Sequence, residues 1–183
     1  PQFHTSDRCV ACHNGLLTAS GQDVSIGFDW RASIMANSSR DPYWQASVRR
    51  ETIDHEPSTA EIEDECSVCH MPIARYEAKV RGRRGQVFAH LPLAAGDKDG
   101  RQAADGVSCS VCHQISTERL GTRESFNGGF VVQPPAAPDA RPEYGPFEVE
   151  AGHRRIMLSS SEGYRPTQSA HIRQSELCAT CHT

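Results

Sequence analysis

The stretch Cys66-Ser67-Val68-Cys69-His70 is one of four copies of the pattern C-x-x-C-H around which this chain is organised. The other copies occupy 9–13, 109–113 and 178–182. The intervals between the copies are unequal, which argues against a regular repeat architecture. The copies use all eight cysteines of the chain: Cys9, Cys12, Cys66, Cys69, Cys109, Cys112, Cys178 and Cys181.

The spacing inside each copy indicates what it binds. Two cysteines three residues apart lie on one side of a helical turn, and the histidine that follows can point at a metal between them. C-x-x-C-H is the attachment signature of a c-type haem, in which both thiols become thioethers. A C-x-x-C pair alone also suits zinc or a dithiol redox centre, but neither requires histidine at the next position. The sequence therefore predicts four covalently bound haem c groups, each carrying one iron.

Each motif also supplies one axial imidazole, from His13, His70, His113 or His182. Neutral imidazole is a preferred ligand of iron, so the remaining histidines are candidates for the opposite face of each haem. There are five of them, one more than four irons need: His4, His55, His90, His153 and His171. The methionines are alternative ligands but are more typical of packing positions; they are Met35, Met71 and Met157.

The expected positions of these histidines come from the local pattern. His55 should share the inward face of a helix over 42–54, and His90 lies inside the apolar run 87–92. His171 and His182 would stand about 16 Å apart on one straight helix over 167–181. They could then not ligate the same iron. His4 lies near the chain start, from where it could reach a haem of a neighbouring molecule and link a homopolymer.

The fold class predicted is mainly α with much irregular coil and very little β. Hydrophobic residues are 37% and aromatic residues 7% of the chain, and mean hydropathy is −0.55, so the side-chain core should be thin. Short helices and long loops would then wrap around the four haems, which supply the missing apolar volume. At 183 residues, the chain is expected to form a single tetrahaem domain over 1–183.

Several elements can be placed. Asp41-Pro42 should start the helix to Asp54, with Trp44, Val48 and Thr52 on one stripe. Asp29 should cap a short helix, and Ser58-x-x-Glu61 should form a capping box for the helix that carries the second motif. The remaining assignments are a turn over 97–105, a loop over 117–146 with a possible short strand at 130–132, and a basic loop, either solvated or facing haem propionates, at Arg81, Arg83 and Arg84.

Charge and hydropathy exclude some functions. The net charge of −4 does not suit a nucleic-acid-binding surface, and no apolar run is long enough to span a membrane. Haem attachment to this motif takes place outside the cytoplasm in bacteria, so we expect an exported protein, periplasmic or at the cell surface. The start at Pro1 fits a processed chain, and the end at Thr183, directly after the last motif, suggests that the natural chain continues.

The predicted function is electron transfer. Four haems in a globule with a radius of gyration of about 16 Å must lie close together. With histidine on both faces of each iron, no coordination position remains for a substrate. The chain would pass single electrons between redox partner proteins or to extracellular acceptors. The alternatives are a multihaem oxidoreductase of the nitrite, hydroxylamine or sulfur-oxyanion type with one open iron, and a module of a larger respiratory complex.

The motifs and their flanking segments resemble those of a known class. The segments are Trp30-Arg31-Ala32-Ser33, Arg40-Asp41-Pro42 and Ser175-Glu176-Leu177-Cys178. Together with the four motifs, they are similar to multihaem cytochromes of the cytochrome c-554 type and to the tetrahaem subunits of extracellular cytochrome filaments. The resemblance implies bis-histidine haems in alternating stacked and T-shaped pairs. The end at Thr183 departs from relatives that continue with further haem motifs.

Overall fold

The computed structural model describes residues 3–93, 96–134, 137 and 141–182. The chain divides into two compact units, Pro1–Cys109 and Ser110–Thr183. Within the described residues, helices are frequent and strands are few, which confirms the mainly α prediction. The wrapping of the chain around haems, and a single tetrahaem domain over 1–183, stay predictions.

The first unit is built from short helices. In chain order they are α1 (Ser6–Val10), α2 (Ile26–Ala32), α3 (Ile34–Asn37), α4 (Pro42–Asp54), α5 (Thr59–His70), α6 (Pro72–Val80) and α7 (Lys98–Ala104), with 3-10 turns at Glu56–Ser58 and Phe88–His90. A core cluster joins α4, α6 and α7 to the segments between them. Its buried members are Trp44, Val48, Met71, Ala74, Val87 and Ala103.

Helix α4 confirms the prediction for 42–54. The Asp41 carboxylate accepts a hydrogen bond from the Tyr43 N–H, and Pro42 occupies the first turn. Trp44, Val48 and Thr52 are its buried residues. The placement of His55 on the same inward face is wrong, because the helix ends at Asp54 and the side chain of His55 is 65% exposed.

Helix α5 carries the second motif as predicted, but its capping box is not formed. Ser58 makes no side-chain cap hydrogen bond. The Glu61 carboxylate pairs with Arg84 instead of reaching back to the helix start.

Two other predictions for this unit are wrong. Residues 98–104 are helical rather than turn-like, because the Asp97 carboxylate accepts a hydrogen bond from the Gly100 N–H and caps α7. Asp29 lies inside α2 rather than capping a helix. The cap is Ser33, whose Oγ accepts from the Ala36 N–H at the start of α3.

The second unit holds a small parallel sheet. Strand β1 (Arg141–Gly145) pairs with β2 (Tyr164–Gln168) in the register Arg141↔Tyr164 to Gly145↔Gln168, and helix α9 (Ala151–Ser160) connects the strands. Two short elements precede the sheet in the chain. They are α8 (Cys109–Cys112), which begins at the last residue of the first unit, and a 3-10 turn at Arg123–Ser125. After the sheet come a 3-10 turn at Ala170–Arg173 and helix α10 (Ser175–Ala179).

The prediction of a helix over 167–181 is therefore wrong. Pro166 has no N–H for a helix and favours extended backbone before it, and this segment pairs with β1 instead. Gln174 is also extended and separates the 3-10 turn from α10. The expected strand at 130–132 is reduced to one isolated bridge, Ile115↔Val132, and part of the loop prediction lies outside the described residues.

Large apolar side chains remain on the surface. Ile34 is 87% exposed, Phe28 69% and Leu17 66%, all in the first unit. In the second unit Phe147 and Ile156 are exposed as well. Among the described residues, no helix is long and apolar enough to cross a membrane.

Candidate haem-attachment sites

All four motifs lie on a turn of helix, as their spacing predicts. Helix α5 contains the second motif entirely, and α8 spans Cys109–Cys112. At the chain ends the helices are shorter, yet the His13 N–H donates to the Cys9 carbonyl at 2.9 Å and the His182 N–H donates to the Cys178 carbonyl at 3.0 Å. The same i to i+4 bond therefore closes the first and last motifs.

The motif cysteines are accessible thiols. None of the eight forms a disulfide; Cys12 and Cys178 are exposed, and the other six are half-buried. Burial raises the pKa of the Cys66 thiol, and the charges of Glu65 and Glu51 raise it further. A thiol that must reach a porphyrin edge has to be neither enclosed nor oxidised, so this arrangement fits covalent attachment.

His70 is held in one orientation by its surroundings. Its Nδ1 lies 3.1 Å from the Ser38 carbonyl, and its ring stacks on Trp44 with centroids 4.3 Å apart and planes 5° from parallel. Burial lowers the pKa of His70, although the hydrogen bond to Ser38 and the charge of Asp41 oppose this. Burial thus favours the neutral imidazole, in which Nδ1–H donates to the carbonyl and Nε2 carries the lone pair.

His113 has the equivalent bond in the second unit. Its Nδ1 lies 2.5 Å from the Tyr144 carbonyl on β1, and the Tyr144 N–H donates to the His113 carbonyl at 2.6 Å. Metal-ligating histidines usually donate their second ring nitrogen to a carbonyl or carboxylate, which fixes the tautomer and raises ligand basicity. Both histidines are therefore set up to present Nε2 to a metal.

Cys9, the first residue of the first motif, and Cys109, the first residue of the third, both belong to the first unit and lie close together. The Asp105 carboxylate accepts from the Ser6 N–H at 2.8 Å and from the Ser6 hydroxyl at 2.6 Å, which ties the start of α1 to the segment before Cys109. Burial raises the pKa of Asp105 despite these bonds. A hydrogen bond with Cys9 lowers the pKa of the Cys109 thiol, so the first cysteines of the two motifs are in contact.

Two candidate distal histidines are on the surface. His55 Nε2 lies 3.8 Å from the Glu51 carboxylate. His153, on α9, is 72% exposed and its Nδ1 lies 2.8 Å from the Glu150 carboxylate. Both rings are reachable by a haem bound on the surface, but the described residues do not fix their orientation as they do for His70.

His90 borders a cavity of about 720 Å³ in the first unit. The predicted basic loop contributes Arg81, Arg83 and Arg84 to the lining of the same cavity, and all three residues are also exposed to solvent. Arg81 also approaches Asp99 at 3.5 Å. Four carboxylates line the same cavity, from Glu56, Glu63, Glu77 and Asp99, so its lining is mixed in charge and does not by itself select for haem propionates.

His171 is enclosed by hydrogen bonds. It is buried, its Nε2 lies 2.8 Å from the Ile115 carbonyl, and its Nδ1 lies 2.6 Å from the Ser169 hydroxyl. Because a carbonyl only accepts, Nε2 carries the proton and Nδ1 accepts from Ser169. In this arrangement the ring has no lone pair to offer an iron. His4 is half-buried just before α1, and Met71 is fully buried in the core cluster.

The two carbonyls that orient His70 and His113 have no signal in the sequence. Any residue has a carbonyl, and Ser38 and Tyr144 are each about thirty residues from the histidine they bond. The aromatic partner of His70 has a weak signal, since Trp44 is predicted on the buried stripe of α4. The sequence places Trp44 in the core but does not indicate its contact with His70.

In the part of the chain that the structure describes, no three His, Cys, Asp or Glu side chains converge as ligands of a metal ion. Comparisons of this chain with family models, curated proteins and solved structures found no match. Support for the predicted haem therefore comes from the residues of this chain. Thiols on one side of a helical turn and a carbonyl-bonded imidazole next to them fit a covalently attached haem.

Proposed function

We propose that this chain is a tetrahaem c-type cytochrome that transfers electrons. The observation that carries the proposal is the bond from Nδ1 of His70 and of His113 to a backbone carbonyl, each beside a C-x-x-C pair on a helical turn. This is the outer hydrogen bond that a metal-ligating histidine needs, and it is present at two separate motifs.

In this function the chain holds each haem in place and orients the histidines that bind its iron. Each bound haem supplies an iron that accepts and releases one electron. The cysteines fix the position of the group, and the motif histidines bind the metal through Nε2. The carbonyls of Ser38 and Tyr144 raise the electron donation of His70 and His113, which stabilises the oxidised metal and favours low potentials.

The supply of distal ligands matches the number of irons. His171 uses both ring nitrogens inside the protein, which leaves His4, His55, His90 and His153 as ligands for four irons. No histidine is then spare, so six-coordination at every iron uses all four unless a methionine takes the place of one. If His4 bound a haem of a neighbouring copy in a filament, each copy would give one histidine to its neighbour and receive one in return. The number of distal histidines per iron would stay the same.

The proposed setting is outside the cytoplasm, with redox proteins or extracellular acceptors as partners. In bacteria, haem is attached to this motif outside the cytoplasm, and this supports the proposed location. The net charge of −4, before any propionate is counted, gives no support to a nucleic-acid partner. A soluble carrier and a filament subunit are distinguished by electron microscopy of the purified protein.

The primary test is a haem count on protein made in a host that attaches haem c. Pyridine haemochrome absorbance and intact mass should both give four haems per chain. Replacing Cys66 and Cys69 together by alanine should lower the count to three. The replacement of Ser67 by alanine, between the same cysteines, is the matched control and should leave four. A colourless protein that holds zinc on its cysteines would overturn the proposal.

A second test separates an electron carrier from an oxidoreductase. Ferric protein with all irons six-coordinate should give only low-spin spectra, unchanged by nitrite or hydroxylamine. Replacing His90 by alanine should open one iron, create a high-spin signal and permit ligand binding there. A high-spin signal in the unmodified protein that responds to nitrite or hydroxylamine would favour the enzyme.

A further inference from the structure

We infer that Trp44 is a positioning residue for His70, and that its stacked ring tunes the metal centre at the second motif. The inference rests on the proposed function, because it concerns how a haem ligand is held. It adds to that function a residue outside all four motifs, on a different helix from the histidine that it orients.

Three contacts surround His70. The Ser38 carbonyl accepts from Nδ1 at 3.1 Å, and the Ser38 hydroxyl donates to the His70 carbonyl at 3.0 Å. The Trp44 indole covers the ring face at 4.3 Å with nearly parallel planes. Trp44 is itself only 8% exposed, and Ser38 only 7%. Backbone, ring edge and ring face of the ligand are thus each held by a buried residue.

The stacking contact with Trp44 fixes the plane of the His70 ring. The torsion that turns an imidazole about its Cβ–Cγ bond is broad, so hydrogen bonding at one edge leaves the plane free to swing. A flat indole at 4.3 Å blocks that swing and keeps Nδ1 directed at the carbonyl. The direction of Nε2, and with it the ligand plane that a metal meets, is set by the same contact.

Core packing alone does not account for this placement. Val48, one turn further along α4, is 2% exposed and belongs to the same core cluster, but its aliphatic side chain cannot stack on the His70 ring. Trp44 thus combines a core position with a face-to-face contact on a ligand. Substitutions at 44 and 48 should accordingly differ in their effect on the metal centre, although both remove buried apolar volume.

The expected consequence is on the ligand's basicity. A carbonyl bond to Nδ1 raises the electron donation of Nε2, which lowers the potential of the metal. Loss of the stack should weaken that bond by letting the ring turn. The midpoint potential of one centre out of four should then rise, and its ferric low-spin signal should broaden because the ligand plane is no longer unique.

The experiment uses the haem-loaded full chain with Trp44→Leu, Trp44→Phe and Val48→Ala, the last as the matched core control. Readouts are the haem count, the electron paramagnetic resonance spectrum and a spectroelectrochemical titration. Trp44→Leu should raise one midpoint and broaden one signal, Trp44→Phe should restore both, and Val48→Ala should lower the unfolding temperature with all four centres unchanged. Four haems with no centre altered by Trp44→Leu would overturn the inference.

Trp44→Met keeps the inference testable if Trp44→Leu does not fold. Methionine fills more of the same space but has no flat ring to stack on His70, so it should shift the same centre in the same direction. An unchanged set of four centres in Trp44→Met, with Trp44→Leu unfolded, would also overturn the inference. Protein without haem would instead sink the proposed function, so the two failures are distinguishable.

Discussion

Asp64 shows how a single side chain stabilises the region around the second motif. It lies two residues before Cys66 on α5 and is 25% exposed. Its carboxylate accepts from Arg75 at 3.0 Å and from the Gly85 N–H at 2.6 Å, so it joins α5 to α6 and to the loop that follows. Burial alone would raise the pKa of Asp64, but these donors lower it below its ordinary value.

Replacing Asp64 by asparagine should destabilise the folded chain by about 1–2 kcal/mol at pH 7, because charge-assisted hydrogen bonds become neutral ones. A carboxyl group with a lowered folded pKa stabilises above its unfolded pKa and loses that effect as pH falls through the folded value. The difference between Asp64→Asn and the unmodified chain should therefore shrink below about pH 4. Chemical denaturation at pH 7 and pH 3 measures it.

The matched control is Glu61→Gln, one turn earlier on α5. Glu61 also pairs with an arginine, Arg84, but both side chains are more than half exposed. Exposed pairs contribute little, so this variant should unfold like the unmodified chain. A loss in Glu61→Gln as large as in Asp64→Asn would contradict the role of burial.

At the residue scale, the sequence predicts the motifs because their geometry is local. The C-x-x-C-H spacing alone places the thiols on one helical turn, and the structure confirms this at Cys9 and Cys178 as well as inside α5. The bonds to the Ser38 and Tyr144 carbonyls are not predictable. They depend on the approach of distant segments, which no residue type marks.

The elements show the same division between local and distant causes. Helix α4 is predictable because Asp41, Pro42 and the stripe of Trp44 and Val48 all lie within it. Strand β2 is not, because its extended state depends on pairing with β1 across a connecting helix. The pattern therefore predicts His171 on a helix, whereas it lies in a 3-10 turn beyond β2, with its own side chain buried and hydrogen-bonded to the Ile115 carbonyl.

The packing of α2 on α1 leads to a prediction at Gly27. A Cβ at this position would lie 2.9 Å from one Val10 methyl and 3.1 Å from the other. Gly27→Ala should therefore push α2 off the first motif and cost about 1–3 kcal/mol. We also expect less haem attached at Cys9 and Cys12, measured by the mass of peptides from a protease digest.

Gly152→Ala is the control for the helix backbone. Gly152 occupies the second position of α9, as Gly27 does in α2, but a Cβ there meets nothing within 4 Å. Alanine should stabilise this helix by about 0.5–1 kcal/mol. Equal behaviour of the two alanine variants would show that contact with Val10 does not limit the approach of α2.

At the scale of the whole chain, the described core cluster is small, while several large apolar side chains are exposed on the surface. The described core cluster has six buried members, two of them alanine, whereas Ile34, Phe28 and Leu17 are each more than 60% exposed. The composition predicts a thin core, and the proposed haems, whose attachment motifs occur in both units, would cover part of these exposed apolar side chains.

Preventing attachment should therefore weaken the entire fold. A chain with all eight motif cysteines replaced by alanine should bind a dye for exposed apolar surface and unfold at lower temperature than the haem-loaded chain, with a broader transition. Circular dichroism melting and dye fluorescence measure both effects. Eight alanines placed at exposed serines and threonines of the haem-loaded chain serve as the control for mutational load. A cysteine-free chain that melts as sharply and at the same temperature would show that the side chains alone form a sufficient core.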